Sequence, residues 1–162
     1  MFPRVQTLLR DRFKLLTHRE TRELPIYALN LDRRDGKLGP KLQRSTCAGG
    51  RDGTQQPCGR FRSGPGIFTA NGVGLSLFTE VISPAVQRLV VDQTGLAGTF
   101  DMELHWLPDD PAIGPQPNTP SPDPTDPSIF TALREQFGLK LEPARRPVDV
   151  FVIDRVEHPT ED

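Results

Sequence analysis

The stretch LVVDQTGLAGTFDMELHW, residues 89–106, gathers Asp92, Asp101, Glu103 and His105 beside the sole tryptophan, Trp106. The tetrapeptide Asp92-Gln93-Thr94-Gly95 invites comparison with aspartic proteases. Those need Asp-Thr/Ser-Gly contiguous and in two copies, so that two carboxylates share one proton. Gln93 interrupts the motif and no second copy exists. The expectation is a structural turn, with Asp92 accepting from nearby backbone N–H groups and Gly95 supplying an unusual φ. Asp101, Glu103 and His105 recur at period two, which puts them on one face of a strand. Three such groups could hold a metal, but the same spacing marks the solvent side of a half-buried strand. Phe100, Met102, Leu104 and Trp106 alternate with them and should face a core. His18 and Glu20 have the same spacing and receive the same reading, and His158 precedes a proline near the end of the sequence.

The remaining motifs are incomplete. NGVGLSLF (71–78) has G-x-G but no third glycine, so it is not a dinucleotide fingerprint. DGKLG (35–39) lacks the Ser/Thr and preceding glycine of a phosphate-binding loop. Ser76 sits in GLSLF rather than in G-x-S-x-G. Two cysteines and three scattered histidines do not compose a zinc site. No catalytic residue, metal ligand or cofactor is therefore expected. Cys47 and Cys58 bracket a Gly-rich polar loop. They form either a disulfide, contributing about 3 kcal/mol in the chain-entropy model and requiring an oxidising compartment, or two free thiols.

Net charge is −1, but it is unevenly spread. Residues 1–63 carry 14 Lys/Arg against 6 Asp/Glu, and residues 64–162 carry 6 against 15. Attraction between two packed parts explains this more simply than an acidic partner does. No aromatic residues interleave the basic positions as a stacking platform requires, so nucleic acid is not expected. No run approaches the roughly 20 apolar residues of a membrane helix. MFPRVQTLLRDRFKLL is broken by Arg10, Asp11 and Arg12 and is not a signal peptide. As written, the chain would stay in the cytoplasm unless its start lies upstream.

These groups must be positioned by a small set of elements. TLLRDRFKL (7–15) matches TALREQFGL (131–139), and PIYALNLDR (25–33) matches PVDVFVIDR (147–155), which reads as an internal repeat. Each copy predicts a helix followed by two strands, the first with a hairpin bending near Glu23–Pro25. Residues 66–73 read as a strand. Residues 76–88 read as a helix with Leu75, Phe78, Ile82 and Val86 on one side, kinked or split by Pro84. LVVD and 99–107 add two strands. Residues 108–127 hold eight prolines and read as an exposed linker.

The expected fold class is α+β: a two-layer sandwich with helices on one face of a mainly antiparallel sheet. Residues 1–33 form a partial α-β-β repeat, 34–65 an irregular Gly/Arg-rich loop with the cysteine pair, and 66–158 a complete β-α-β-β-α-β-β unit. The first repeat looks like the tail of an earlier copy. Strand edges near 14–31 would then be exposed, and edge pairing between two copies becomes possible.

LLRDRFKLLTHRETRELPIYAL, PCGRF, VVDQTGLAGTFDMELHW and SIFTALREQFGLKLEPARRPVDVFVIDRVEHPTED together resemble one family throughout. It is the soil-associated acidobacterial (Solibacter-type) paralogous family, domain of unknown function 3738, of which this chain resembles the C-terminal part. The resemblance implies longer proteins with an export signal, some fused behind membrane metallopeptidases of the antibiotic-sensor type. It thereby implies an extracytoplasmic module and favours a Cys47–Cys58 disulfide. The chain departs from it at Ser83-Pro84 and in lacking a first half, and the family offers no catalytic residues. The expected function is a non-enzymatic extracytoplasmic binding, sensor or scaffold module with a protein or envelope component as partner. The alternatives are a hydrolase or regulatory part of an envelope peptidase system, and a truncated copy without independent function.

Overall fold

A computed structural model describes residues 3–33, 35–47, 58–108 and 123–158. In chain order the elements are α1 (Pro3–Phe13), β1 (Leu16–Leu31), β2 (Leu42–Arg44), β3 (Arg60–Gly64), β4 (Ile67–Val73), α2 (Leu75–Ile82), β5 (Val90–Asp92), β6 (Phe100–His105), α3 (Ile129–Ala132) continued by a π-helical turn (Leu133–Phe137), and β7 (Leu139–Arg155). They build a four-stranded antiparallel sheet in the order β2-β6-β4-β3 and a three-stranded sheet in the order β5-β1-β7. The fold is α+β, a sandwich of the expected class. Two compact units are separable: Met1–Leu24 with Arg145–Asp162, and Pro25–Ala144.

The larger unit holds the core. Alternation in β6 buries Phe100, Met102 and Leu104 while Asp101, Glu103 and His105 turn outward. In β4, Phe68 and Ala70 are buried, and a bulge at Asn71–Gly72 restores the inward direction for Val73. Gly72 takes φ +65°, which a side chain would strain. In α2, Leu75, Phe78, Thr79 and Ile82 form one buried face. Phe78 bridges Phe68 and Phe137 at ring distances of 5.1 and 5.3 Å. Leu29, Val90 and Leu139 of the three-stranded sheet join the same core.

The helix expected over 76–88 is neither kinked nor split but shorter: α2 stops at Ile82, and Pro84 falls in the turn that follows. The Ser83 hydroxyl donates to the Thr79 carbonyl at 2.6 Å and accepts from the Val90 N–H at 2.9 Å, so the helix end is tied to the start of β5. β5 then pairs in parallel with β1, Tyr27–Leu29 opposite Val90–Asp92.

Three further expectations need correction. Residues 16–31 form one strand, not a hairpin bending at Glu23–Pro25. Pro25 falls before the parallel pairing begins at Tyr27, where its missing N–H costs no ladder bond to β5. Residues 139–155 are likewise one strand, and its prolines are tolerated because β7 lies at the edge of its sheet. The final part of the β-α-β-β-α-β-β unit is therefore a helix and a single long strand. Residues 34–65 are not wholly irregular, since they contribute β2 and β3. Within that stretch the Gly39 N–H donates to the Phe137 carbonyl and the Lys41 N–H to the Gln136 carbonyl, which satisfies the end of the π-helical turn. The approach is close: a Cβ on Gly39 would stand 2.3 Å from the Gln136 oxygen.

In the smaller unit, α1 ends at Phe13, Lys14 after it takes φ +48°, and the Leu15 N–H closes back on the Leu9 carbonyl. His18 meets Asp154, Thr21 meets Asp149, and the Glu157 N–H donates to the Phe13 carbonyl. Partners therefore advance in opposite senses along β1 and β7, which makes an antiparallel ribbon. Among the residues of this unit whose side chains are described, none is buried.

Candidate functional site

Each carboxylate of the 92–106 stretch is engaged separately. Asp92 Oδ1 accepts from the Thr94 N–H at 2.9 Å and from its hydroxyl at 2.8 Å. The Thr94 Oγ1 accepts in turn from the Leu96 N–H, and Gly95 takes φ +71°. Asp92 and Gly95 thus sit in two nested side-chain turns. Asp101 Oδ1 accepts from the Gly72 N–H at 2.8 Å, so this carboxylate serves the β4 bulge.

Glu103 lies between Lys41 Nζ at 2.6 Å and His105 Nε2 at 3.2 Å. The Lys41 hydrogen bond holds its carboxyl below the ordinary carboxylate range, its slight burial opposes this, and His105 reinforces Lys41. The cluster is open to solvent and resembles a surface salt bridge more than a general acid–base pair. The backbone of His105 is held by Gln136, whose Oε1 accepts from the His105 N–H and whose Nε2 donates to its carbonyl.

His18 faces Asp154 at 2.9 Å, while Glu20 takes Arg22, whose hydrogen bond lowers the Glu20 pKa. His158 is exposed beyond β7, and Ser76 is exposed in the first turn of α2. Among the described residues no group of three or more His, Cys, Asp or Glu is placed to hold a metal ion.

Cys47 and Cys58 form a disulfide with Cα atoms 5.8 Å apart. It lies over the β4 bulge: a Cβ on Gly72 would come within 3.3 Å of both cysteine Cβ atoms. Beside it, Asn71 Oδ1 is buried with no hydrogen-bond partner among the described residues. Residues 48–57, between the cysteines, lie outside the described residues, as do 109–122 of the proline-rich linker.

The larger unit carries an apolar groove of about 400 Å³. Its walls come from the β3–β4 turn (Pro65), the end of α2 and the turn after it (Val81, Pro84, Ala85), and the chain leaving β6 (Trp106, Pro108). Trp106 is held by its own backbone, whose N–H donates to the Gly66 carbonyl at 2.9 Å. Gln87, also on the rim, adopts φ +52°, a left-handed conformation that non-glycine residues rarely take. Strain of this kind concentrates where a site is being shaped. No charged or titratable side chain lines the groove among the described residues.

A larger depression of about 630 Å³ lies over β3 and β4, lined by Arg60, Phe61, Arg62, Thr69 and Asn71. It is shallower and more polar. Sequence reasoning placed Trp106 on the core face of its strand. The structure buries it to 6% exposure but turns it, just past the end of β6, toward the groove as well. The other walls carried only turn signals, Pro65-Gly66 and Ser83-Pro84.

An α+β sandwich with a disulfide-pinned bulge and an uncharged groove defines a small domain in which no helix among the described residues is long and apolar enough to cross a membrane. The chain belongs to the family described as protein of unknown function (DUF3738), whose model matches residues 1–156. Neither the curated proteins nor the solved structures contain a match to it.

Proposed function

We propose that the chain is an extracytoplasmic binding module, a sensor or scaffold rather than an enzyme, and that the Trp106 groove receives its ligand. The observation that carries this reading is the chemistry of the groove wall: proline, valine, alanine and tryptophan with no proton-transferring group. Concave, mostly apolar sites of a few hundred Å³ are the common form of small-ligand sites. The carboxylates that a hydrolase would need are instead spent on a turn, a bulge and a surface ion pair. The disulfide supports an oxidising compartment, as does the resemblance to exported acidobacterial proteins. The ligand class is an uncharged or extended apolar group, a segment of a protein or envelope component.

The test uses Trp106, whose emission is the only tryptophan signal in the chain. A library of small apolar fragments and proline-rich peptides is titrated, with NMR shifts followed at Val81, Ala85 and Trp106. The reading requires binders that move these residues and that Val81→Arg rejects. Binders collecting instead at Glu103 and His105, or a substrate consumed by the purified chain, would refute it.

A further inference from the structure

β7 from 149 to 155 carries an unusual face. Asp149, Phe151, Ile153 and Arg155 alternate with Val150, Val152 and Asp154, so the first four share one side of the strand. Phe151 and Ile153 are each 62% exposed, although Arg19 covers part of the Phe151 ring at 5.0 Å. β7 ends its sheet, with β1 as its single neighbour among the described strands. Its outer edge therefore presents unpaired backbone groups beside two large apolar side chains, a combination that natural edge strands normally avoid.

The matching stretch of β1 shows what the same sequence pattern looks like when covered. PIYALNLDR (25–33) aligns with PVDVFVIDR (147–155), which sets Tyr27–Leu29 against Asp149–Phe151. In β1, Tyr27–Leu29 pair with β5, and Ile26 and Leu29 are fully buried. In β7 the equivalent residues, Val148 and Phe151, are half-buried and exposed.

We infer that the outer edge of β7 pairs with β7 of a second copy of this chain, antiparallel, about a two-fold axis through Val152. This goes beyond the groove reading and does not depend on it. The register follows from charge. With the axis at Val152, Asp149 stands opposite the partner's Arg155, Phe151 opposite the partner's Ile153, and the same pairs repeat across the axis. Directly opposed residues of an antiparallel pair interact most strongly, and opposite charges and large apolar side chains are the favourable combinations. Moving the axis to Phe151 would set Asp149 against the partner's Ile153. Moving it to Ile153 would set Asp149 against the partner's Glu157, a like charge. Only the Val152 register satisfies both the charged and the apolar positions among these three. Pro147 falls outside the seven-residue ladder, so every residue from 149 to 155 keeps its N–H. The charges are not idle in the single chain: Thr21 donates to Asp149 at 2.7 Å and Arg155 contacts Glu157. Both interactions are exposed, and each leaves further acceptor or donor capacity for a partner. The paired ribbons would form one four-stranded sheet in which two phenylalanines and two isoleucines make a single apolar cluster.

Sedimentation of the full chain over a concentration series reads the association, and charge reversal reads the register. Asp149→Arg and Arg155→Asp each place like charges opposite one another twice. Each should weaken the dimer about tenfold or more, and the double reversal should recover it. Val152→Cys supplies an independent measurement that leaves those charges intact. It should cross-link two copies on mild oxidation, whereas Val148→Cys, displaced along the strand from its own counterpart, should not. A chain that stays monomeric at sub-millimolar concentration overturns the proposal. So does a dimer indifferent to the single reversals, a double reversal that fails to recover it, or equal cross-linking through both cysteines.

Discussion

Gln136 grips the backbone of His105 like a short strand of its own: its amide accepts the His105 N–H at 3.1 Å and donates to the His105 carbonyl at 2.8 Å. This one side chain joins the π-helical turn to the end of β6. Gln136→Ala leaves two part-buried backbone groups without partners, at a cost of about 2 kcal/mol in urea unfolding. Gln136→Glu keeps the acceptor and loses the donor near neutral pH, so it should fall between the two. A variant as stable as the parent would show that the clamp contributes nothing.

Gly39 should be the least replaceable glycine of the described chain. A methyl group there meets the Gln136 and Phe137 backbone at 2.3 to 2.7 Å, and neither can move without losing the bonds that end the π-helical turn. Gly39→Ala should cost about 3 kcal/mol or more, in the range of severe core substitutions. Gly36→Ala is the control. Its Cβ meets nothing within 4 Å, and only the φ of +70° opposes it, which amounts to about 1 kcal/mol. Thermal melts of the two variants rank them.

The disulfide should contribute about 3 kcal/mol, as a loop closed over a sequence separation of 11 predicts in the chain-entropy model. Replacing Cys47 and Cys58 together by serine, or adding reductant, should lower the melting temperature with the β4 bulge the first region to change by NMR. Gly72→Ala offers a second route to the same place, because its methyl group must fit against both cysteines from a strained φ.

Glu103 makes a small pH-dependent contribution through Lys41. Its folded pKa lies below its ordinary value of 4.5. The stabilisation is therefore present above the unfolded value and is lost as pH falls through the folded one. Lys41→Met should raise the Glu103 midpoint in an NMR titration. It should also cost less than about 1 kcal/mol at neutral pH, since both partners are well exposed. Under strongly acidic conditions, below the folded midpoint, the variant and the parent should converge.

Local periodicity made part of this fold readable. The alternation of Phe100, Met102, Leu104 and Trp106, the stop at Pro84 and the turn at 92–95 are short-range signals written in a few adjacent residues. The long strands were less readable because Pro25, Pro143 and Pro147 look like breakers until it is known that Pro25 precedes the pairing with β5 and that β7 is an edge strand. β2 and β3 have no apolar alternation to announce them. Leu42–Arg44 is a strand because Phe100–Met102 lies beside it, and Arg60–Gly64 because it pairs with Ile67–Asn71. The groove was illegible for a related reason. Its walls come from residues 63–66, 81–87 and 106–108, which meet only after the sheet and α2 have assembled.

The absence of buried residues among the described positions of the smaller unit sets a timetable for opening. A segment held by ribbon hydrogen bonds and half-exposed contacts opens at a small fraction of the free energy that unfolds a core. β1 and β7 should therefore each show two exchange regimes, slow at amides such as Ile26–Leu29 and fast at 16–22 and 149–155. Proteases would find the fast stretches first. If two copies pair through β7, the amides of 149–155 gain protection as protein concentration rises, while those of 16–22 gain much less. A segment that exchanges quickly in isolation thereby becomes a gauge of company.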